Sequence, residues 1–490
     1  MRFFARIAPR AIVALFAAAI FAVCPVAAQT AATNAAVQVP QNTAPVRVAC
    51  VGDSITLGSG TKLQLLDSYP AQLQRMLDSK SWFVQNFGVG GATLLNKGDK
   101  PYQKQKALQD ALNFNPDVAI IMFGANDSKP QNWKFKDEFT ADYKDMIGKF
   151  KALPSNPRIF ICRPVVAPGV GNYGITDPVI LEEIPLIDAA AKEEAVGLVD
   201  MHAALLGKDA LLPDRVHPNT EGANFLARTA YRALTGAEFT GTLDPFLHSE
   251  WMGWKQIQFE SDGRAGYLVL PKTPAPGNPW IWRTEFANTE PQGDLALLAK
   301  GWHVAYLNVQ NMYGSPAALD AMDKFYAQVV KGNHLASKVV LEGFSRGGLF
   351  AFNWAARNPG KVASIYADAP VLDFKSWPAG KGKGQGSPQD WRRLLAAYGL
   401  TEEHALSYKL NPLDNLKPLA EAKIPILSIC GDSDKTVPFD ENTQIMERRY
   451  QKLGGEVRVI LKPGGDHHPH SLKNPTPIVD FILKYAPTGP

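Results

Sequence analysis

The most constraining feature of this sequence is an alternation of short apolar runs with amphipathic stretches, which occurs twice along the chain. One series covers residues 46–236, another covers 253–490, and a less regular stretch over 237–252 separates them. Strands that alternate with helices favour a mostly parallel sheet with helices on both faces. Because 490 residues are too many for one ordinary domain, the pattern predicts an α/β protein of two doubly wound, three-layer domains with a linker at 237–252.

The two series differ at their starts. In the second, residues 255–260 and 265–270 flank Ser261-Asp262-Gly263, and an Asp-Gly turn between strand-like runs is typical of a β-hairpin. The halves share no internal repeat, so the sequence does not indicate a duplication. Further predicted strands cover 46–51, 82–87, 118–123, 158–162 and 197–200 in the first series, and 280–286, 304–309, 339–343, 364–367, 424–430 and 457–461 in the second.

The N-terminal segment has the pattern of an export signal. Three arginines within the first ten residues precede an apolar run over 11–23, and small residues lead to a cleavage point after Ala28. We therefore expect residues 1–28 to be a cleaved signal peptide, because the apolar run is too short to span a bilayer. Residues 29–45 have the composition of a disordered lead-in. The protein is expected to be secreted or periplasmic, with no membrane span.

Charge and cysteine usage exclude several function classes. The net charge of +4 includes the three arginines of the signal peptide, so the rest is nearly neutral and no nucleic-acid partner is expected. Cys50, Cys162 and Cys430 each lie in an apolar run, which predicts buried thiols. No Cys/His spacing is typical of a zinc site, so we expect no metal and no cofactor. No sequence feature predicts the oligomeric state.

The first candidate catalytic set lies in the N-terminal half. Ser54 follows a strand-like run directly, on a turn where a hydroxyl would be exposed. A serine hydroxyl needs a base, and the base needs an orienting carboxylate. Asp214 and His217 lie three positions apart in one loop, which suits a local carboxylate–imidazole contact. The tripeptide Gly-Asp-Ser alone is weak evidence, because it recurs ending at Ser433.

Four blocks surround this set: Gly52-Asp53-Ser54-Ile55-Thr56, Asn86-Phe87-Gly88-Val89-Gly90-Gly91-Ala92-Thr93, Phe123-Gly124-Ala125-Asn126-Asp127 and Asp214-Arg215-Val216-His217-Pro218. Together they resemble the SGNH (GDSL-like) hydrolase family. The resemblance implies a flavodoxin-like SGNH fold over 46–236, with Ser54 as nucleophile, His217 as base and Asp214 as the orienting acid. It also implies oxyanion donors from the Ser54 backbone, the Gly91 backbone and the Asn126 side chain; Gly88 or Gly90 are alternatives to Gly91.

The second candidate set begins at a G-x-S-x-G motif over 343–347. A β-rich run precedes the motif and a helical stretch follows it, which is the strand–turn–helix context that a nucleophile elbow requires. Small glycines allow the sharp turn that exposes Ser345, and the backbone N–H of Arg346 then points towards the oxyanion. The set is completed by Asp434 and by histidines further along the chain.

The C-terminal half resembles the α/β-hydrolase fold, with the catalytic order Ser, Asp, His. The resemblance implies Asp434 as the acid, with Asp432 as the alternative, and favours His467 as the base over His468 and His470. The three histidines also suit a metal ion, but no cluster of carboxylates or cysteines completes a site. The His-Gly-Gly pattern that often supplies the second oxyanion donor is missing. A backbone N–H near Arg283 or Thr284 is the candidate replacement.

An exported chain that combines these two halves resembles bacterial enzymes that remove ester decorations from plant cell-wall polysaccharides. The sequence therefore predicts a secreted serine carboxylic-ester hydrolase with two catalytic centres. We expect it to act on an acylated polysaccharide or oligosaccharide, removing O-acetyl groups and a second type of ester. Two alternatives remain open at this stage. One is a lipid or lysophospholipid esterase, and the other is a single active domain whose partner half binds glycans.

Overall fold

The computed structural model describes residues 44–486, so the predicted signal peptide and nearly all of the lead-in lie outside the described residues. Two separate β-sheets organise this part of the chain, one of five strands and one of nine. Each sheet carries helices between most of its strands. The predicted α/β class with two domains in series is confirmed.

The N-terminal sheet has the strand order β2-β1-β3-β4-β5, and every neighbouring pair is parallel. This is the flavodoxin-like order, in which β2 lies on one side of β1 and the later strands are added on the other side. This switch leaves a crevice at the carboxyl ends of β1 and β3. Its strands are β1 (Val46–Gly52), β2 (Trp82–Gly88), β3 (Val118–Met122), β4 (Arg158–Arg163) and β5 (Gly197–Asp200).

Both faces of this sheet are covered. Along β1, Val48 and Cys50 pack into one hydrophobic cluster, whereas Ala49 and Val51 pack into another on the opposite face. Successive strand residues point to opposite faces, so the continuous apolar run reports a strand buried on both sides. The covering helices are α1 (Ser54–Leu57), α2 (Gln64–Asp67), α3 (Tyr69–Met76), α4 (Lys106–Asn113), α5 (Pro130–Trp133), α6 (Phe139–Lys151), α7 (Asp177–Glu193), α8 (Met201–Leu205) and α9 (Thr220–Thr235).

The C-terminal sheet has the order β14-β13-β12-β11-β9-β10-β8-β7-β6. The strands from β14 to β10 are mutually parallel, and β8, β7 and β6 continue the sheet in antiparallel pairs. The strands are β6 (Leu247–Trp251), β7 (Trp254–Ser261), β8 (Arg264–Val269), β9 (Trp280–Arg283), β10 (His303–Leu307), β11 (Val339–Phe344), β12 (Val362–Asp368), β13 (Ile426–Gly431) and β14 (Val457–Lys462).

This sheet is also buried on both faces. On β11, Val339 and Leu341 pack into one cluster and Val340 and Phe344 into another. A central position in the sheet and two covered faces hold the end of β11 rigidly, which suits a strand that presents a functional turn. The accompanying helices are α10 (Gln292–Leu298), α11 (Pro316–Gly332), α12 (Gly347–Arg357), α13 (Pro388–Tyr398), α14 (Glu402–Leu406), α15 (Lys417–Glu421), α16 (Thr443–Lys452) and α17 (Thr476–Lys484).

The predicted hairpin is confirmed and the predicted linker needs a correction. Asp262 and Gly263 have φ of 50° and 74° between β7 and β8, as a tight hairpin turn with two left-handed residues requires. Strand β6, Leu247–Trp251, falls inside the stretch 237–252 that we assigned to the linker, and it pairs with β7. Only its first and last residues are buried, so this edge strand lacks the continuous apolar run by which the other strands were predicted.

Cys50, Cys162 and Cys430 are buried and unpaired, as predicted, and burial raises the pKa of the Cys50 and Cys430 thiols to about 12. Between residues 44 and 486, no helix is long and apolar enough to cross a membrane.

Candidate active sites

Ser54 occupies the first position of α1, directly after the carboxyl end of β1. Asp53 caps this short helix, because its Oδ1 accepts the N–H of Ile55 at 2.8 Å. The turn brings Ser54 Oγ to 2.9 Å from His217 Nε2. The nucleophile candidate and the base candidate, 163 positions apart in the sequence, are therefore in hydrogen-bond contact.

The loop that carries Asp214 and His217 is folded tightly enough for the two side chains to meet. Arg215 takes a left-handed φ of 66° between them, and His217 Nδ1 lies 2.7 Å from Asp214 Oδ2. The other oxygen, Oδ1, accepts the N–H groups of Val216 and His217. Burial opposes ionisation of Asp214, but these hydrogen bonds outweigh it and lower the pKa of the carboxyl. The acid is thus held ionised beside the imidazole.

A second loop, after β4, reaches the same acid, a contact that the sequence did not predict. The hydroxyl of Tyr173 donates to Asp214 Oδ2 at 3.3 Å, and its ring centre lies 5.8 Å from that of His217. The amide of Asn172 donates to the backbone carbonyl of Asp214 at 3.0 Å. No motif or spacing links residues 172 and 173 to the acid, because only the fold brings the two loops together.

Two of the three predicted oxyanion donors, the Gly91 backbone and the Asn126 side chain, lie on loops that are joined to each other. The Asn126 amide donates to the carbonyl of Ala92 at 3.1 Å and approaches Asp53 Oδ2 at 3.4 Å. Gly91 has a left-handed φ of 77°, a backbone conformation that is strained for residues with a side chain. Gly88 has a different constraint, since a Cβ there would lie 2.2 Å from the backbone nitrogen of Leu57.

Buried acids lie beneath this site. Asp127 accepts the N–H groups of Leu94 and Leu95 at 3.0 and 2.8 Å. Burial raises the pKa of Asp127 to about 7 and that of Asp53 to about 6. Glu183 is fully buried, and neither of its carboxylate oxygens has a hydrogen-bond partner among the described residues. Burial, reinforced by the charges of Asp127 and Asp53, raises the pKa of Glu183 well above its usual range.

Ser345 lies at a sharp turn between β11 and α12, as the G-x-S-x-G motif predicted. Its φ of 47° is left-handed, which is rare for a residue with a side chain. Hydrogen bonds on both sides hold this conformation: Ser345 N–H donates to the carbonyl of Asp368, and Val371 N–H donates to the carbonyl of Ser345. Such strain in a well-supported turn is typical of a functional position.

The second Ser–His–Asp set is also assembled. His467 Nε2 lies 2.9 Å from Ser345 Oγ, and His467 Nδ1 lies 2.7 Å from Asp434 Oδ2. The other oxygen of Asp434 accepts the N–H groups of Thr436 and Val437, both at 2.8 Å. All three members of the set are buried, so their hydrogen bonds are shielded from water.

The structure separates these residues from the alternatives that the sequence left open. Asp432 accepts a hydrogen bond from Ser433 and another from the backbone of Gly464, away from the imidazole of His467. His470 Nδ1 pairs with the buried Asp368 at 2.8 Å. His468 is exposed. Among the candidates, His467 is the histidine in contact with Ser345, and Asp434 is the acid in contact with His467.

Arg346 follows the nucleophile candidate, and its side chain is committed to acidic partners. Its Nε and Nη2 donate to Glu285 Oε1 at 3.0 and 2.8 Å, and Nη1 lies 3.5 Å from Asp390. The guanidinium also packs over the rings of Phe286 and Tyr313. Because this charge is already compensated, the backbone N–H of Arg346, rather than its side chain, remains the candidate oxyanion donor.

The second oxyanion donor of this half is not at Thr284. The N–H of Thr284 donates to the carbonyl of Glu342 at 3.0 Å and so is not available to a substrate. The next residue, Glu285, lies beside Gly347 at the amino end of α12. Phe286 follows it with a left-handed φ of 55°. Arg283 steadies this loop, because its Nη2 donates to the carbonyls of Phe286 and Thr289 at 3.1 and 2.5 Å.

Comparison with known proteins places each half in a class of hydrolases. Residues 50–224 match the GDSL-like lipase/acylhydrolase family, and residues 275–411 match the alpha/beta hydrolase fold. The chain therefore contains one domain of each class, in the predicted order.

An acetylxylan esterase from Xylanibacter ruminicola is 41% identical over 208 residues, a match that covers 39% of this chain and 43% of the relative. The chain thus matches less than half the length of that curated relative. Among solved structures, Porphyromonas gingivalis dipeptidyl peptidase 4 aligns over 49% of this chain and 36% of its own at 15% identity and a TM-score of 0.39. Pyrococcus horikoshii acylaminoacyl peptidase aligns over 51% and 44% at 15% identity and a TM-score of 0.37.

Proposed function

We propose that this protein is a serine carboxylic-ester hydrolase with two independent catalytic centres. The observation that carries the proposal is the presence of two complete Ser–His–Asp hydrogen-bond chains with matching lengths. In each, the serine oxygen lies 2.9 Å and the acid oxygen 2.7 Å from the imidazole nitrogen that faces it. A hydroxyl, a base and an orienting carboxylate in this arrangement suit acyl transfer.

In the N-terminal centre, Ser54 Oγ attacks the carbonyl carbon of an ester while His217 Nε2 accepts the hydroxyl proton. The oxyanion of the tetrahedral intermediate receives hydrogen bonds from the backbone of Gly91 and the amide of Asn126. His217 then gives its proton to the departing alcohol oxygen, which leaves an acyl group on Ser54. Water, deprotonated by the same imidazole, then attacks the acyl carbonyl. The bond between the acyl group and Ser54 Oγ breaks, the serine oxygen takes the proton back from His217, and the acid leaves. Asp214 stabilises the imidazolium in both steps.

In the C-terminal centre, the same sequence of proton transfers runs through Ser345, His467 and Asp434. The backbone N–H of Arg346 is one oxyanion donor. A backbone N–H of the loop that contains Glu285 and Phe286 is the second. The strained backbone of Ser345 supports this assignment, because a sharp strand-to-helix turn exposes the hydroxyl and aims the next N–H at the same point.

The substrate that we propose is an O-acetylated plant cell-wall polysaccharide such as acetylxylan. This rests on the likeness to an acetylxylan esterase and on the pairing of two hydrolase domains, one of which would take a second type of ester. The proposed domains are 46–236 and 253–490, with β6 as an added edge strand of the second. The pattern of residues 1–28 supports export to the periplasm or the medium.

The test is acetate release from acetylated xylo-oligosaccharides by the full chain and four variants. These are Ser54→Ala, Ser345→Ala, the double variant, and Ser433→Ala. The last is a matched control, because Ser433 ends the other Gly-Asp-Ser tripeptide, is exposed, and has a hydroxyl that donates to the neighbouring Asp432. A panel of p-nitrophenyl esters from acetate to long acyl chains completes the profile.

We expect Ser54→Ala to abolish most acetate release and Ser345→Ala to remove hydrolysis of a different subset of esters. Ser433→Ala should behave as the wild type. Full activity in the double variant would overturn both centres. Loss of activity in one single variant alone, on every ester tried, would leave one active domain. Preference for long acyl chains over acetate would favour a lipid esterase instead.

A further inference from the structure

Three imidazoles meet on the loop between β14 and α17. One ring nitrogen from each of His467, His468 and His470 lies within 4.8 Å of the other two. The ring centres are 4.8–4.9 Å apart and the rings stand nearly perpendicular to one another. The esterase mechanism uses His467 alone, so it does not explain why three histidines converge.

Two of these imidazoles are oriented by buried carboxylates. His467 Nδ1 lies 2.7 Å from Asp434 and His470 Nδ1 lies 2.8 Å from Asp368, and both carboxylate side chains are fully buried. Asp368 is itself held by the N–H of Ser471 at 2.8 Å. A carboxylate on Nδ1 fixes the tautomer and leaves Nε2 for another partner, which is the arrangement that orients metal-ligating histidines. In His467 that nitrogen faces Ser345 Oγ.

We propose that His467, His468 and His470 form a binding site for Zn²⁺ that switches off the C-terminal centre, an inference that rests on the proposed esterase function of that centre. Bound zinc would take the lone pair of His467 Nε2 that otherwise accepts the proton of Ser345. The serine then keeps its proton and does not attack an ester. The ion is an inhibitor of this centre and takes no part in ester hydrolysis.

The geometry needs a small adjustment that the loop allows. Zn–N bonds of about 2.0–2.1 Å in a tetrahedron place two ligand nitrogens about 3.3 Å apart. The present spacing of up to 4.8 Å therefore has to close. His467 and His470 are buried and held by carboxylates, whereas His468 is exposed, so His468 is the ligand that can rotate towards the other two imidazoles. Water or Ser345 Oγ completes four-coordination.

Calorimetric titration of the full chain with Zn²⁺ tests the site without any ester substrate. We expect one zinc per chain and at least tenfold weaker binding by His468→Ala. His470→Gln, whose amide can still donate to Asp368, should weaken binding as well. His404→Ala is the matched control, because that histidine is exposed on α14, outside the cluster. Equal zinc affinity in the wild type and His468→Ala would overturn the proposal.

Turnover gives a second readout. In a Ser54→Ala background, zinc should inhibit the remaining hydrolysis and EDTA should restore it. The inhibition constant, measured against each protein's own zinc-free rate, should rise at least tenfold with His468→Ala. In a Ser345→Ala background the same zinc concentration should leave acetate release unchanged. Equal inhibition in both backgrounds would overturn the proposal. If the C-terminal centre hydrolyses none of the esters tried, the calorimetric titration alone tests whether the three histidines bind zinc.

Discussion

The side-chain amide of Asn126 donates a hydrogen bond to the carbonyl oxygen of Ala92 at 3.1 Å. This bond joins the loop after β3 to the loop after β2, and these loops lie on either side of Ser54 at the end of β1. Asp127, next to Asn126, adds two more bonds to the same loop through Leu94 and Leu95. The proposed oxyanion donors are therefore held as one unit and do not depend on substrate to bring them together.

Replacing Asn126 tests its proposed role as an oxyanion donor. Asn126→Ala removes a donor that strengthens its bond as charge develops on the substrate, and losing one such donor lowers kcat by about 10²–10³-fold. We expect this loss in kcat for acetate release, with KM little changed, measured in a Ser345→Ala background. Asn113→Ala, at an exposed position on α4, is the control. A fall of less than about threefold would contradict the assigned role.

Tyr173 should make a smaller contribution through Asp214. Tyr173→Phe removes the hydroxyl at 3.3 Å from Asp214 Oδ2 but keeps the ring beside His217. A hydrogen bond of this kind contributes about 0.5–1.5 kcal/mol, which corresponds to a loss of about 2–10-fold in kcat/KM. The esterase assay of the N-terminal centre measures it. The control Tyr231→Phe, on α9, should leave kcat/KM unchanged. If Tyr173→Phe also leaves kcat/KM unchanged, the hydrogen bond to Asp214 does not contribute to turnover.

Glu183 should make the N-terminal domain less stable as the pH rises. Its pKa is raised by burial in the folded chain and remains near 4.5 when unfolded. Above pH 4.5 the folded state therefore binds more protons at this group, and stability falls by about 1.4 kcal/mol per pH unit until the folded pKa is passed.

Thermal unfolding at pH 5 and pH 8 measures this effect. The Tm of the wild type relative to Glu183→Gln should be higher at pH 5 than at pH 8, because glutamine does not ionise. Glu193→Gln replaces an exposed glutamate of the same helix and serves as control. If the Tm difference between the wild type and Glu183→Gln is the same at pH 5 and pH 8, Glu183 does not ionise between these pH values in the way that we expect.

Arg283 should be essential to the stability of the C-terminal domain. Its guanidinium is buried between Asp294 and Glu342, so Arg283→Met leaves two acids buried without their cation. Breaking a buried ion pair in this way costs about 3–5 kcal/mol, which urea denaturation would detect. Arg393→Met, at a half-exposed pair with Asp390, should cost less than about 1 kcal/mol.

A triple variant separates charge from packing. Arg283→Met combined with Asp294→Asn and Glu342→Gln removes both buried acid groups and should recover part of the lost stability. Because the Arg283 side chain also donates to the carbonyls of Phe286 and Thr289, we expect ester hydrolysis at Ser345 to remain low in the recovered variant. Full recovery of both stability and turnover would show that the loop holds its conformation without Arg283.

Much of the fold could be predicted because its signals are local. The strand β1 is an unbroken apolar run, and a strand covered on both faces by helices requires such a run. The hairpin at Asp262 and Gly263 follows from two residues that tolerate left-handed backbone. By contrast, the edge strand β6 was missed, since most of its residues are only partly buried and its pairing with β7 leaves little trace in composition.

For the candidate sites, the sequence by itself determined the chemistry available: two serines on turns after strands, each followed in order by acidic and imidazole groups. Only the tertiary structure decided which of His467, His468 and His470 meets Ser345, and that Tyr173 reaches Asp214. The reason is physical. A turn is encoded by neighbouring residues, whereas a hydrogen bond between distant loops depends on how packed strands and helices bring the loops' ends together.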